Sequence, residues 1–138
     1  EEVWLSNPIT GDFETLPDGY DVDPSRFFDS KAGWPPLPNG LTDVELVGLE
    51  TRQGGERYHV RGTATKELMK IITAGLVRNQ DVTLDLWIQP VTGLVHSVEF
   101  TTDPVSGSAA DERVNWVLKL DQYGDEFTIV PPEELQAG

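Results

Sequence analysis

Few side chains in this sequence have the type and spacing that chemistry requires. There are two histidines, His59 and His96, and no cysteine, so thiol catalysis, zinc–thiolate sites and disulfides are excluded. In Tyr58-His59-Val60 the histidine faces away from both neighbours and reads as solvent-exposed. His96 falls among alternating apolar residues. It is the best general-base candidate, and equally a satisfied or partly wet core histidine or a polar contact for a ligand headgroup. Asp18, Asp21 and Asp23 gather hard oxygen ligands of the kind calcium prefers, but their spacing matches no EF-hand loop and the closing bidentate glutamate is missing. An acidic solvated loop explains them, and no metal is expected. Trp4, Trp34, Trp87 and Trp116 offer planar faces to sugars. Trp116 shares the apolar stripe of its strand and reads as core or cavity lining, whereas Trp87 points to the other face and reads as half-exposed cross-strand packing. Nucleophile elbows, phosphate-binding loops and dinucleotide glycine patterns do not occur. The facing carboxylate pair of a glycan hydrolase cannot be placed from the sequence. No enzymatic constellation or cofactor is expected.

The elements that must position these residues are mostly strands. Asp81–Phe100 carries the clearest pattern: Val82, Leu84, Leu86 and Ile88 alternate with Thr83, Asp85, Trp87 and Gln89, and Leu94, Val98 and Phe100 alternate again after Pro90-Val91-Thr92-Gly93. With Gly93 in a left-handed bulge position, pairing Ile88 with Leu94, Leu84 with Val98 and Val82 with Phe100 builds one apolar face. Pairing Ile88 with Val95 and Leu84 with Glu99 would mix the faces. Glu2–Asn7 and Phe13–Leu16 read as a hairpin, as do Thr42–Thr51 and Arg57–Thr63 around Gly54-Gly55. Arg113–Asp121 presents Val114, Trp116, Leu118 and Leu120 on one face and is predicted to turn through Gln122–Asp125 into a last strand, Phe127–Val130. The proline-rich stretch from Pro17 to Asn39 is predicted to wrap the surface or cover a cavity, with Phe27, Phe28, Trp34 and Leu37 as anchors and a short helix begun at Asp23-Pro24-Ser25. One amphipathic helix is predicted over Thr65–Val77, capped by Thr65, with Lys66 and Lys70 on its wet side. A lone amphipathic helix must bury its apolar stripe against the sheet.

Composition bounds the function. At 138 residues one domain is expected. Ten Lys and Arg stand against 24 Asp and Glu, a formal net charge of −14. That balance argues against nucleic acid, whose affinity comes from neutralised phosphates, and against adsorption to anionic headgroups, so that lipid contact is expected through a pocket. No run approaches the roughly 18 apolar residues of a membrane span. The chain opens Glu1-Glu2-Val3-Trp4-Leu5 within a strand-like pattern. It therefore reads as a fragment, or as a mature region without its leader and first elements, with an edge or face lacking its natural cover. Such an edge would permit a homodimer.

Several segments follow one another in a recognisable order. They are Glu2-Val3-Trp4-Leu5-Ser6-Asn7-Pro8 with its Pro/Asp loop, Tyr58-His59-Val60-Arg61-Gly62-Thr63 before a short helix, and Leu86-Trp87-Ile88 before Thr92-Gly93-Leu94-Val95. Trp116-Val117-Leu118-Lys119-Leu120-Asp121-Gln122-Tyr123-Gly124 and Pro131-Pro132 complete the set. This order resembles the C-terminal part of the LppX/LprA/LprF/LprG lipoproteins of actinobacterial envelopes, which share the LolA-like fold. The long acidic loop with Trp34-Pro35-Pro36 departs from that pattern. The resemblance implies an α+β fold: a curved, largely antiparallel β-sheet (a LolA-like half-barrel) with a helix packed on its concave face. Residues 1–138 would form a single domain without the family's N-terminal helix and first strands.

The resemblance further implies a non-enzymatic carrier of lipid or glycolipid acyl chains. It would be exported to the periplasmic side of the bacterial cell envelope and anchored to the membrane as a precursor lipoprotein by an upstream lipidated cysteine absent from this chain. The cavity lining expected from helix and stripes is Leu68, Met69, Ile72 and Leu76 on one wall and Leu84, Leu86, Ile88, Val98, Phe100, Trp116 and Leu118 on the other. For each position the alternative is ordinary core packing. For the protein it is an envelope interaction or scaffold domain with a filled core and no ligand.

Overall fold

Seven strands and two helices account for the regular structure in a computed structural model that describes residues 4–6, 9–15, 27, 29–104, 113–128, 130 and 132. The chain divides into two compact units, residues 1–23 with 122–138 and residues 24–121. In the first, β1 (Trp4–Ser6) and β2 (Phe13–Thr15) form the expected antiparallel hairpin. Gln122 and Gly124 turn the backbone with positive φ, and Asp125 N–H donates to Gln122 O at 3.1 Å. The last predicted strand is not formed: residues 127, 128 and 130 are not in a strand. The acidic loop at Asp18–Asp23, the helix start at Asp23–Ser25 and Phe28 lie outside the described residues.

The second unit is an antiparallel meander in the order β3-β4-β5-β6-β7. Its strands are β3 (Thr42–Arg52), β4 (Gly55–Ala64), β5 (Val82–Ile88), β6 (Val95–Thr102) and β7 (Val114–Lys119). β3 and β4 join through Gln53-Gly54, both at positive φ (50° and 79°), the two-residue turn whose twist suits a hairpin. The turn thus sits one residue before Gly54-Gly55. The β5–β6 loop closes through Gly93 N–H to Gln89 O and Gln89 N–H to Leu94 O, each 2.9 Å, with Gly93 left-handed at φ 69° as its sequence position predicts.

The register of that hairpin differs from expectation. Leu84 pairs with Phe100, Leu86 with Val98 and Trp87 with Ser97, after which a shift leaves Ile88 opposite Val95. His96 is the extra residue of this bulge. A slide of two residues preserves the facing of Leu84, Leu86, Val98 and Phe100, so the apolar face survives. The bulge changes its upper end: Val95 is buried, while Leu94 is exposed and lies before the strand.

Two rows cross the sheet on this face, Leu46–Val60–Leu86–Val98–Leu118 and Gly62–Leu84–Phe100–Trp116. α2 (Lys66–Ile72) supplies Met69 and Ile72 to the same core, with Trp34 and with Leu37 from α1 (Leu37–Gly40). Thr65 caps α2, accepting from Leu68 N–H at 3.3 Å. The helix stops at Ile72, five residues short of the prediction, because Ala74 and Gly75 turn left-handed (φ 50° and 81°) and Gly75 N–H reaches back to Lys70 O. Leu76 and Val77 keep helical spacing in sequence but lie beyond the helix.

Buried Thr73 fixes that exit. Its hydroxyl donates to Met69 O at 2.6 Å and accepts from Val77 N–H at 2.9 Å. Thr73→Val keeps the shape and orphans the Val77 N–H. We expect it to lose about 1–3 kcal/mol in urea unfolding, whereas Thr73→Ser should lose less than half of that.

Candidate functional site

The residues nearest to catalytic chemistry sit on the sheet face opposite the helices, and they are occupied with one another. His59 is buried, 8% exposed, which corrects the exposed reading. Its Nδ1 lies 2.7 Å from Glu50 Oε1 and its Nε2 2.7 Å from Asp85 Oδ1. Trp87, predicted half-exposed, is also buried. It stacks on the His59 ring at 4.6 Å, carries the Arg52 guanidinium 3.6 Å above its own ring, and donates from Nε1 to Glu50 Oε2 at 2.9 Å. Asp85 and Glu99 face each other across β5 and β6, a repulsive pair made tolerable by Arg61 on Asp85 and Arg52 on Glu99. With both ring nitrogens held, His59 has no free atom for a substrate.

His96 stands in the bulge beside Gln53 Oε1. Burial, with Arg57 nearby, pulls its imidazole below the ordinary value. No group of three or more metal-ligating side chains occurs among the described residues. An open groove of about 810 Å³ runs along this same face, but its polar groups are largely paired: Arg61 with Asp85, Arg113 with Asp103, and Thr101 with Asn115.

The helix-bearing face offers the other kind of site. A cavity of about 260 Å³ is lined by Phe27, Trp34, Ile72, Thr73, Leu76, Phe100, Trp116, Leu118 and Leu120. The turn at its rim is built locally: Asp29 Oδ1 accepts from Lys31 and Ala32 N–H, and Trp34 N–H donates to Phe27 O at 2.7 Å, setting the two aromatic residues side by side. Phe100 and Trp116 stack at 5.6 Å and form the sheet wall. The polar atoms of two lining residues are engaged elsewhere, Trp116 Nε1–H with Thr102 Oγ1 at 3.0 Å and the Thr73 hydroxyl with Met69 O. The cavity therefore presents hydrocarbon and aromatic surface. It reaches the surface at Leu76, which is 66% exposed.

Of the expected lining residues, Ile72, Leu76, Phe100, Trp116 and Leu118 meet at this cavity. Met69, Leu84, Leu86 and Val98 are packed in the core with no exposed surface, and Leu68 and Ile88 pack against it. Phe27, Trp34, Thr73 and Leu120 complete the lining. Leu120 continues the β7 stripe and Phe27 and Trp34 were legible as loop anchors, but Thr73 carried no apolar signal.

The polar cluster has a testable consequence. Hydrogen bonds from Trp87 and then His59 hold the Glu50 carboxyl below the ordinary glutamate value. Its contribution to stability is complete above that value and is lost as pH falls through the depressed one. Glu50→Gln should therefore be less stable than the wild type at pH 7, and the difference should shrink steadily as pH falls below the ordinary glutamate value in denaturant titrations.

No curated protein matches the chain. No helix among the described residues is long and apolar enough to cross a membrane. Against protein families the chain matches the LppX_LprAFG lipoprotein family over residues 1–129, and it belongs to that family.

Proposed function

We propose that this protein is a non-enzymatic carrier that holds the acyl chains of a lipid or glycolipid in the bacterial cell envelope. The observation that carries the reading is the apolar cavity between the α2 exit and the β6–β7 wall. At about 260 Å³ it lies just under the roughly 300 Å³ at which small-molecule sites begin, which is room for part of an acyl chain. Transfer of hydrocarbon from water contributes about 0.8 kcal/mol per methylene, so several methylenes give capture without a charged anchor. The same face continues past the core, where Leu46 in the Leu86 row and Leu49 beside Tyr58 remain exposed. In this reading the remainder of a longer chain lies along that wall, the sheet curves around its helix as a half-barrel, and the headgroup stays outside.

Family membership supports lipid association. Export to the envelope and anchoring through a lipidated cysteine upstream of this chain belong to the same proposal. The alternative of a scaffold domain with a filled core is disfavoured by the cavity. Self-association through β3 is weakened by its two register shifts, which interrupt the regular pairing of that edge.

Binding of a fatty-acid series, followed by displacement of a fluorescent acyl probe, tests the proposal. Affinity should rise about fourfold per added methylene until the cavity is filled and then level off. Leu120→Trp, which fills the cavity from just beyond the end of β7, should weaken binding of the longest chain at least tenfold while leaving the fold intact by circular dichroism. Affinity independent of chain length, or unaltered by Leu120→Trp, would contradict the carrier reading.

A further inference from the structure

The charge of this chain is unevenly spread, and one cationic segment includes the cavity-lining Leu76. The net charge is −14, yet residues 66–78 hold three cations, Lys66, Lys70 and Arg78, against the single carboxylate of Glu67. Lys66 stands within 4.0 Å of Glu67. Lys70 and Arg78 have no ion-pair partner among the described residues, and both are exposed. In the same segment Ile71 is 44% and Leu76 66% exposed, and Leu76 lines the cavity. Two large apolar side chains thus stand in water in the same segment as two unpaired cations, on a chain whose overall balance is acidic.

We propose that this segment docks the cavity mouth onto an anionic lipid bilayer, with Ile71 and Leu76 entering the headgroup–acyl boundary and Lys70 and Arg78 meeting phosphates. The inference rests on the acyl-carrier reading and names the surface at which the cargo is exchanged. Two physical conditions permit it. Screening confines electrostatics to about 8–10 Å at ordinary salt, so the local patch rather than the overall −14 governs contact with a membrane. Long cationic side chains also keep their stems beside apolar neighbours while their heads stay at the interface. Neither a few cations nor two apolar side chains bind a bilayer firmly alone; together they give a reversible contact, as loading and release require. The expectation of contact through a pocket without surface charge thus changes to contact through both.

The test sediments the 138-residue chain with vesicles of equimolar phosphatidylglycerol and phosphatidylcholine, and with phosphatidylcholine alone, and measures capture of a fluorescent fatty acid from solution separately. Binding should favour the anionic vesicles and weaken with added salt. Lys70→Gln and Arg78→Gln should each lower it about fivefold, and Ile71→Ser severalfold. Because none of these three lines the cavity, fatty-acid capture should be unchanged in all of them. Equal binding to both vesicle types, or binding indifferent to these substitutions, would overturn the docking surface. Capture of fatty acid without vesicle binding overturns docking and leaves the carrier intact. Substitution-sensitive binding to anionic vesicles without capture supports docking and overturns the carrier.

Discussion

The governing constraint is geometric: one face of the five-stranded sheet is apolar over a wider area than its helix can cover. Five strands at about 4.8 Å spacing span about 19 Å, while seven helical residues at about 1.5 Å each extend about 10 Å. α2 and the Trp34–Leu37 turn therefore bury the centre of the face, where Leu84, Leu86 and Val98 lose all contact with water, and leave its flanks incompletely closed. On the β6–β7 side the shortfall becomes the cavity; on the β3 side it leaves Leu46 and Leu49 in solvent. Apolar surface that the described residues leave uncovered is surface available to a hydrocarbon ligand.

The opposite face solves a different problem. β3 is an edge strand with two register shifts, and apolar packing contributes little at its exposed positions. Polar side chains tie it inward instead: Glu50 reaches over His59 to Trp87 on β5, and Arg52 reaches Glu99 on β6. A histidine bonded through both nitrogens inside such a network is a structural part. Both nitrogens of His59 are committed to that network, which leaves the apolar side as the face with open hydrocarbon surface.

Strand alternation translated faithfully into the five-stranded sheet, whereas its register, the end of the helix and the burial of single side chains did not follow from it. Period-2 alternation located β5, β6 and β7, and Gly54 and Gly93 marked the β3–β4 and β5–β6 turns, because each signal depends on neighbours in sequence. The slide of two residues between β5 and β6 was invisible since the His96 bulge leaves the alternation of Val98 and Phe100 untouched. The helix was overextended because Leu76 and Val77 fit a 3.6-residue period, whereas the left-handed Ala74-Gly75 exit is fixed by Thr73. The burial of His59 depends on Glu50 and Asp85 from the two flanking strands. Likewise, about half of the expected lining proved to be packed core, because which apolar residue faces a void is decided by how far the helix extends and not by its own type.

The central claim is that hydrocarbon occupies the cavity between the α2 exit and the β6–β7 wall. Its most direct test is lipid mass spectrometry on the protein purified from its native envelope without detergent exchange, before and after denaturation. The account predicts acylated molecules in near-stoichiometric amount that are released only when the fold is lost. Protein that carries no lipid, together with a cavity that stays empty when acyl chains are supplied in excess, would contradict it.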